Sequence, residues 1–384
     1  MYLGQKSTIN STLAVFDTLD SQKAIEKAFF ETQCVHIKGF VGSGFSFRIA
    51  AAFQKQQHNL LLVLDNAEQA AYYLNDFERL LNPEDVLYFP ASYRQPYAQE
   101  TTDNANVLLR SEVLKKISAN KKPRIVVTYP QAVFEKIISQ HTLKRITFKV
   151  IKNTTLSLSF INESLFEMNF ERVDFVTSPG EFAVRGGIID VFSFAYQHPY
   201  RIEFFDDTVE RLCSFEVETQ RSITSFDSIE LLPDTSNNDF TDKRKTILDF
   251  FPTQSSFIFF NFDKTTDRLQ ALYDKAIETF STLQATTQYP PEILFVNKEE
   301  WVRDSKDKSV IVLERTDQLS IKELIHVKQS LQPAFNKQFD LLITHLNNNH
   351  NDGFENTLFC SNKQQTKRFH DIFQELEKTV HYKT

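Results

Sequence analysis

Three glycines, Gly39, Gly42 and Gly44, form a segment whose spacing could bind phosphate. The pattern G-x-x-x-x-G runs from Gly39 to Gly44, after an apolar stretch at 34–37 and before another at 47–56. We therefore expect a strand, a glycine loop and a helix in that order, which is the context that a phosphate-binding loop requires. In such a loop the backbone N–H groups and the helix N-terminus face the anion.

The two residues that follow the loop argue against nucleotide hydrolysis. Ser46 stands where the hydroxyl that binds Mg²⁺ belongs, but Phe45 occupies the position of the lysine. Lysine brings positive charge to the β- and γ-phosphates and to their transition state, whereas phenylalanine brings only bulk. The chain also has no Asp-Glu dipeptide, the usual acidic motif of helicases. We interpret residues 39–46 as a degenerate nucleotide site whose loop now has a structural role. Weak anion binding at the helix N-terminus is left open.

A second set of candidate residues, Arg185, Arg201 and Phe205, lies in a region with the alternation of β-strands. Successive residues of a strand face opposite sides of a sheet. If the apolar residues that alternate with them face the core, these three side chains share the outer face. Asp206 and Asp207 then predict a turn into a third strand at 208–215.

Two guanidinium groups and a large aromatic ring on one sheet face have the composition of a protein-binding hot spot. The alternative is a solvated antiparallel face on which one phenylalanine is exposed. Alternation alone does not decide between these two interpretations.

The composition is typical of a soluble protein with several domains. At 384 residues the chain has room for about two to four domains. Its net charge of −7 provides no broad positive surface for DNA. Cys34, Cys213 and Cys360 lack the spacing of a metal site or a disulfide framework, so we expect buried free thiols in a reducing cytoplasm. No secretion signal and no apolar run of membrane-spanning length are present, so no membrane association is expected.

Apolar strand segments alternate with amphipathic helical segments through most of the chain. The predicted strands of this pattern lie at 34–37, 59–64, 86–89, 124–128, 256–262, 293–296 and 309–313. The run at 59–64 is almost entirely apolar, which is typical of a strand buried on both faces of a parallel sheet. The alternation therefore predicts a doubly wound α/β domain.

The segment 173–221 carries a long and specific resemblance. It includes the runs SPGEFAVRGGIIDVF and YRIEFFDD and ends in FEVETQR. This segment closely resembles the second domain of the bacterial transcription-repair coupling factor (Mfd) family and is more distantly similar to the same domain of the excinuclease subunit UvrB. In that family the sheet surface of the domain recruits the damage-recognition subunit UvrA. The family's contact residues fall on Arg185, Arg201 and Phe205.

The resemblance also bears on the first domain. It implies that residues 39–46 are the degenerate form of a UvrB-type phosphate-binding loop. UvrB inserts a tyrosine-rich hairpin that clamps damaged DNA near the segment 90–102, where this chain has Tyr93 and Tyr97 but no room for a hairpin. The resemblance therefore argues against damage verification, and we interpret Tyr93 and Tyr97 as structural.

The expected architecture is a P-loop-like, doubly wound parallel sheet domain with an inserted α+β domain and a partial α/β segment at the C-terminus. The first domain is predicted at 1–142 and 227–329, the insert at 143–226 and the last segment at 330–384. In this last segment we expect a helix, a polar loop from 347, a strand at 357–360 and a helix that begins at Ser361. We interpret it as the start of a truncated third domain; the alternatives are a small complete subdomain and a tail that packs on the first domain.

The resemblance implies a non-catalytic N-terminal module that binds UvrA and so brings excision repair to a stalled RNA polymerase. Contacts with RNA polymerase and DNA, and the use of ATP and Mg²⁺, are implied only for domains outside this chain. A C-terminal domain of the same protein is implied to mask the UvrA-binding surface.

Two alternatives remain open. One is a nucleotide-dependent DNA-processing ATPase of UvrB or helicase type that uses the loop at 39–46, against which Phe45 argues. The other is a purely structural domain that pairs with a C-terminal part of the same protein.

Overall fold

The computed structural model describes residues 3–31, 34–92, 97, 104–194, 196–235, 244–282, 289–358, 360 and 362–375. The chain divides into two compact units, Met1–Gln329 and Ser330–Thr384, which are described separately.

Strands and helices alternate along the chain. The strands are β1 Cys34–Lys38, β2 Asn59–Val63, β3 Val86–Tyr88, β4 Ile125–Thr128, β5 Phe148–Ile151, β6 Glu171–Arg172, β7 Glu181–Arg185, β8 Ile188–Val191, β9 Tyr200–Phe205, β10 Thr208–Phe215, β11 Ser222–Phe226, β12 Ser228–Leu231, β13 Ser255–Phe259, β14 Ser309–Val312 and β15 Ile321–His326. The α-helices are α1 Leu3–Val15, α2 Asp20–Ala28, α3 Gly44–Gln56, α4 Ala67–Leu80, α5 Asn104–Ala119, α6 Pro130–Val133, α7 Gln140–Ile146, α8 Leu158–Glu167, α9 Ile247–Phe250, α10 Phe262–Thr282, α11 Pro291–Leu294, α12 Lys298–Ser305, α13 Phe339–Asn351 and α14 Lys363–Glu375.

A seven-stranded parallel sheet forms the centre of the first unit. Its strand order is β15-β1-β14-β13-β2-β4-β3, and every pairing in it is parallel. All residues of β2 and β13 are buried, as expected for strands covered on both faces. The sheet confirms the predicted α/β domain.

Two parts of this sheet differ from the prediction. The edge strand β15 was not predicted, because its sequence lacks apolar alternation. Only one of its six residues is buried, as is common for a strand at the edge of a sheet. The strand predicted at 293–296 is wrong: the helix α11 covers the first two of these residues, and Phe295 makes only an isolated bridge to Glu135. Pro291 at the first helical turn favours the helix, since its fixed φ angle fits that position.

A second, mainly antiparallel sheet lies in the chain between β4 and β13. Its strand order is β11-β10-β9-β8-β7-β6, and only the short pair β6–β7 is parallel. One face of this sheet packs against α8, whose Ile161 and Leu165 share a core cluster with Phe182 and Ile202. The sequence analysis correctly predicted a separate β-rich region within the α/β domain.

The inserted region begins and ends on adjacent strands. Strands β5 and β12 pair antiparallel, with Val150 opposite Ile229 and Phe148 opposite Leu231. Both Ile229 and Leu231 belong to the core cluster of the inserted sheet. This core therefore extends beyond the predicted boundary at 226 and includes β12.

The second unit contains the helices α13 and α14. Leu342, Ile343 and Leu346 of α13 pack with Phe373 of α14 in a small cluster of their own. The polar loop predicted from 347 is wrong, because α13 continues through the asparagine-rich run to Asn351. Of the strand predicted at 357–360, the described residues 357, 358 and 360 lie in no strand.

No helix in the described part of the chain combines the length and the apolar character needed to cross a bilayer.

The parallel sheet makes a direct prediction about stability. Leu61 is fully buried in β2, so Leu61→Ala should lower the free energy of unfolding by about 2 to 5 kcal/mol through the lost burial and the cavity left behind. Trp301, the only tryptophan of the chain, is buried in the same core cluster, so its fluorescence during urea denaturation reports this unfolding.

The matched control is Leu324→Ala on the edge strand β15, where the side chain is 54% exposed. This variant should unfold within about 1 kcal/mol of the parent, as surface substitutions usually do. Equal losses in the two variants would contradict the assigned strand positions.

Candidate functional site

Strand pairing places the three residues of the second candidate set on one face of the inserted sheet. Arg201 on β9 lies opposite Asp190 on β8, and Asp190 lies opposite Ala183 on β7. Arg185 is two residues from Ala183 along β7, and Phe205 is four residues from Arg201 along β9, so all share that side.

A buried carboxylate joins the two arginines. Asp190 is only 1% exposed, and its two oxygens accept hydrogen bonds from Nε and Nη2 of Arg201 at 2.7 and 2.9 Å. Arg185 also donates to Asp190 through Nη2. Asp190 was not among the predicted site residues, although alternation places this acidic residue, the only charged residue in β8, on the same face as the arginines.

Arg201 is less accessible than alternation predicted. Its side chain is 17% exposed, because the turn after β10 lies over it and Gln220 accepts hydrogen bonds through its backbone oxygen and Oε1 at 3.3 and 3.1 Å. The guanidinium also lies 4.5 Å from the ring centroid of Phe215. The hydrogen bond with Asp190 raises the pKa of Arg201 above its ordinary value, against the opposing effect of burial.

Arg185 and Phe205 are the more accessible members of the set. The Arg185 side chain is 37% exposed, and Phe205 is 69% exposed. The hairpin between β7 and β8 is made by Gly186 and Gly187, and Gly186 has a φ angle of +57°. Glycine is favoured at this angle, since it has no Cβ atom.

The charges of this face are largely paired. Arg211 donates to Glu203 at 3.0 Å, so these two residues neutralise each other. Two guanidiniums and one carboxylate leave the group of Arg185, Arg201 and Asp190 with one net positive charge. The face can therefore offer hydrogen bonds to an acceptor beside an exposed apolar ring.

The glycine loop lies at the end of β1, as predicted, and leads into α3. Gly39 and Gly42 have φ angles of +96° and +54°. A Cβ atom on Gly39 would lie 2.2 Å from the backbone oxygen of Val327, so this position needs glycine for both its angle and its space.

A side chain from the end of the first unit occupies part of the loop. The Oε1 atom of Gln329 accepts a hydrogen bond from the backbone N–H of Val41 at 2.8 Å. The carboxamide atoms of Gln329 lie 2.3 to 2.6 Å from the point where a Cβ atom on Gly44 would stand. The Val41 N–H group, which could otherwise face an anion, therefore already donates to a side chain of the same protein. The two residues are 288 positions apart, so no local sequence pattern predicts this contact.

The residues at the lysine and hydroxyl positions of the loop are also engaged. Phe45 is 1% exposed and packs edge-on against the rings of Phe40, Tyr73 and Phe260. Ser46 is fully buried, and its Oγ donates to Asp76 on α4 at 2.7 Å. Both side chains contribute to packing inside the α/β domain.

Of the two tyrosines interpreted as structural, Tyr97 packs inside the α/β domain. Tyr97 donates from Oη to the backbone oxygen of Tyr289 at 2.9 Å, and its ring packs near Phe280 and Phe295. Tyr93 lies outside the described residues.

The cysteines are free in this structure, with Cys34 and Cys213 buried and Cys360 partly buried. Burial raises the pKa of the Cys34 thiol to about 11. Within the described ranges, no group of three or more His, Cys, Asp or Glu side chains could hold a metal ion.

The shared carboxylate predicts a large effect of a small substitution. Asp190→Asn keeps the shape of the side chain but removes the charge that both guanidiniums contact, so it should destabilise the inserted sheet by on the order of 3 kcal/mol. Native-state hydrogen exchange of the amides in β7 to β10 measures this local free energy.

The matched control is Glu203→Gln, which removes a carboxylate from the more exposed pair with Arg211 on the same face. Its effect should remain within about 1 kcal/mol, as for surface ion pairs in general. If the amides of β7 to β10 are as well protected from exchange in Asp190→Asn as in Glu203→Gln, the carboxylate of Asp190 does not stabilise the face.

Comparisons with known proteins point to one family. Residues 148–236 match the family described as the UvrB interaction domain. The transcription-repair-coupling factor of Rickettsia bellii is 30% identical over 188 residues, which are 49% of this chain and 17% of that protein. The corresponding factor of Staphylococcus haemolyticus is 31% identical over 208 residues, covering 53% of this chain and 17% of that protein.

The UvrABC system protein B of Fusobacterium nucleatum is more distant, at 23% identity over 197 residues, which are 48% of this chain and 30% of that protein. The matched part of this chain thus corresponds to less than a fifth of each coupling factor. These matches confirm the resemblance found in the sequence: the chain is similar to the N-terminal, UvrB-like region of bacterial transcription-repair coupling factors.

Proposed function

We propose that this chain is a protein-binding module of nucleotide excision repair that binds UvrA through the face carrying Arg185, Arg201 and Phe205. In this proposal the module belongs to a coupling factor that brings UvrA to a stalled RNA polymerase. The coupling to RNA polymerase, the DNA translocase activity and the masking of this face by a C-terminal domain belong to other parts of such a protein.

The observation that carries the proposal is the exposed Phe205 ring beside guanidinium groups that a buried carboxylate holds in place. Phenylalanine at 69% exposure in a folded sheet leaves a large apolar area in water. Aromatic rings and arginines are the residue types that most often dominate protein interfaces. A face with its guanidiniums already fixed loses little conformational freedom when a partner binds.

The comparisons support this assignment of the partner. All three residues lie within 148–236, the segment that matches the UvrB interaction domain. The same residues were assigned to the UvrA contact from the family resemblance in the sequence.

We further propose that the loop at 39–46 has no catalytic role and holds no nucleotide. Three features support this proposal. Phe45, at the lysine position, is buried, and the Ser46 hydroxyl donates a hydrogen bond to Asp76. The carboxamide oxygen of Gln329 accepts the hydrogen bond of the Val41 N–H group. No ATP or Mg²⁺ is then needed by this part of the protein.

Substitution of the face should weaken UvrA binding. Phe205→Ala removes the apolar anchor and Arg201→Ala removes the bidentate partner of Asp190, so each should reduce the affinity by on the order of 2 kcal/mol. Titration of purified UvrA with the chain, by calorimetry or by anisotropy of a labelled chain, measures the change.

The control is Phe160→Ala, which removes a 51% exposed ring from α8 on the opposite side of the same sheet. It should bind UvrA like the parent. Parental affinity in both Phe205→Ala and Arg201→Ala, with the fold intact by hydrogen exchange, would exclude this face as the UvrA contact.

Nucleotide titration tests the second proposal. Isothermal titration with Mg-ATP should give no binding at millimolar nucleotide, both in the parent and in Gln329→Ala, because the buried Phe45 ring supplies no positive charge even when the carboxamide is gone. Micromolar binding by the parent, with turnover abolished in Ser46→Ala, would instead establish the DNA-processing ATPase.

A further inference from the structure

We propose that Phe175 is a second aromatic anchor of the same binding face and that Arg185 acts between the two rings. This inference rests on the proposed function, since it names a further contact residue for the same partner. The partner surface it predicts has two apolar pockets on either side of a hydrogen-bond acceptor such as a carboxylate.

The exposure of Phe175 sets it apart from its surroundings. It is 64% exposed, and among the described large apolar side chains of the inserted region only Phe205 is more exposed. Its neighbour Val176 is 2% exposed and packs with Ala183 and Phe192 in a core cluster. The chain thus buries the adjacent valine and leaves the larger ring in water.

The backbone on both sides of Phe175 is fixed. The N–H of Val173 donates to the backbone oxygen of Phe182 at 2.9 Å. On the other side, Oε2 of Glu181 accepts from the N–H groups of Thr177 and Ser178 at 2.7 and 2.9 Å. The exposed ring is therefore carried by an ordered segment, and ordering such a ring on binding loses little entropy.

The ring is connected to the group that holds the arginines. The guanidinium carbon of Arg185 lies 5.2 Å from the ring centroid of Phe175, within the range of a cation–π contact. Arg185 donates to Asp190, Asp190 accepts from Arg201, and Arg201 lies over the buried ring of Phe215. A continuous series of contacts thus runs from the exposed ring of Phe175 to the buried ring of Phe215.

The strand order places Arg185 between the two exposed rings. Phe175 lies in the segment between β6 and β7 and contacts Arg185 at the end of β7. Phe205 lies on β9, on the other side of β8. The Arg185 guanidinium therefore lies between the Phe175 ring, which it contacts, and the strand that carries Phe205, so a partner that covers both rings would exclude water from a hydrogen bond to Arg185.

The test is a set of UvrA titrations with single variants of the whole chain. Phe175→Ala should weaken binding at least about tenfold, as expected for an aromatic anchor. Phe175→Leu, which keeps apolar bulk but loses the π face, should lie between Phe175→Ala and the parent. Phe160→Ala is the matched control, with a ring of similar exposure on the opposite side of the sheet, and should bind like the parent.

Two results would overturn the inference. If Phe205→Ala weakens binding while Phe175→Ala binds like the parent, Phe175 is no anchor although the proposed function stands. If Phe175→Ala, Phe205→Ala and Arg201→Ala all bind like the parent, this face is not the UvrA contact and the proposed function itself fails. Because Phe175 is exposed, its variants should keep the parental thermal midpoint, so a loss of affinity at an unchanged midpoint supports a direct contact.

Discussion

The buried carboxylate of Asp190 is the interaction on which the candidate face depends. Asp190, at 1% exposure on β8, binds two guanidiniums from the strands on either side, and that of Arg201 also donates to Gln220. Removing a charge from water is costly unless its partners satisfy it, and here the two arginines do so. The same contacts that satisfy the carboxylate also fix the positions of the side chains that a partner would meet, so that folding and recognition depend on one group.

In contrast to the exposed ring of the candidate face, the side chains at the lysine and hydroxyl positions of the glycine loop are buried. Gly39 and Gly42 have positive φ angles, and the side chains around the loop contribute to packing. Phe45 fills the space below the loop with aromatic contacts, and Gln329 supplies an acceptor from the same chain. This hydrogen bond joins the loop at the end of β1 to the segment that follows β15.

The parallel sheet and the hairpins of the insert could be predicted from the sequence, because apolar runs and alternation are local signals. The strand β10 was predicted with its observed bounds, and the turn at Asp206 was correctly placed. The weakly apolar edge strand β15 and the helical continuation of α13 through asparagines were not predictable, since pairing and packing override composition there. Alternation assigned Arg201 to the right face, but the turn that covers it and the bond from Gln329 to the loop both arise from tertiary contacts.

The pairing of β5 with β12 brings the two ends of the inserted region side by side. A sheet built on such neighbouring ends has its own apolar core, and it also packs against α5 of its host, where Leu108 shares a cluster with Ala183. The α/β domain could carry a different insert, or a short turn in its place, without a change in the order of its seven strands. Recognition of a partner can therefore diverge in this protein while the surrounding scaffold keeps its architecture.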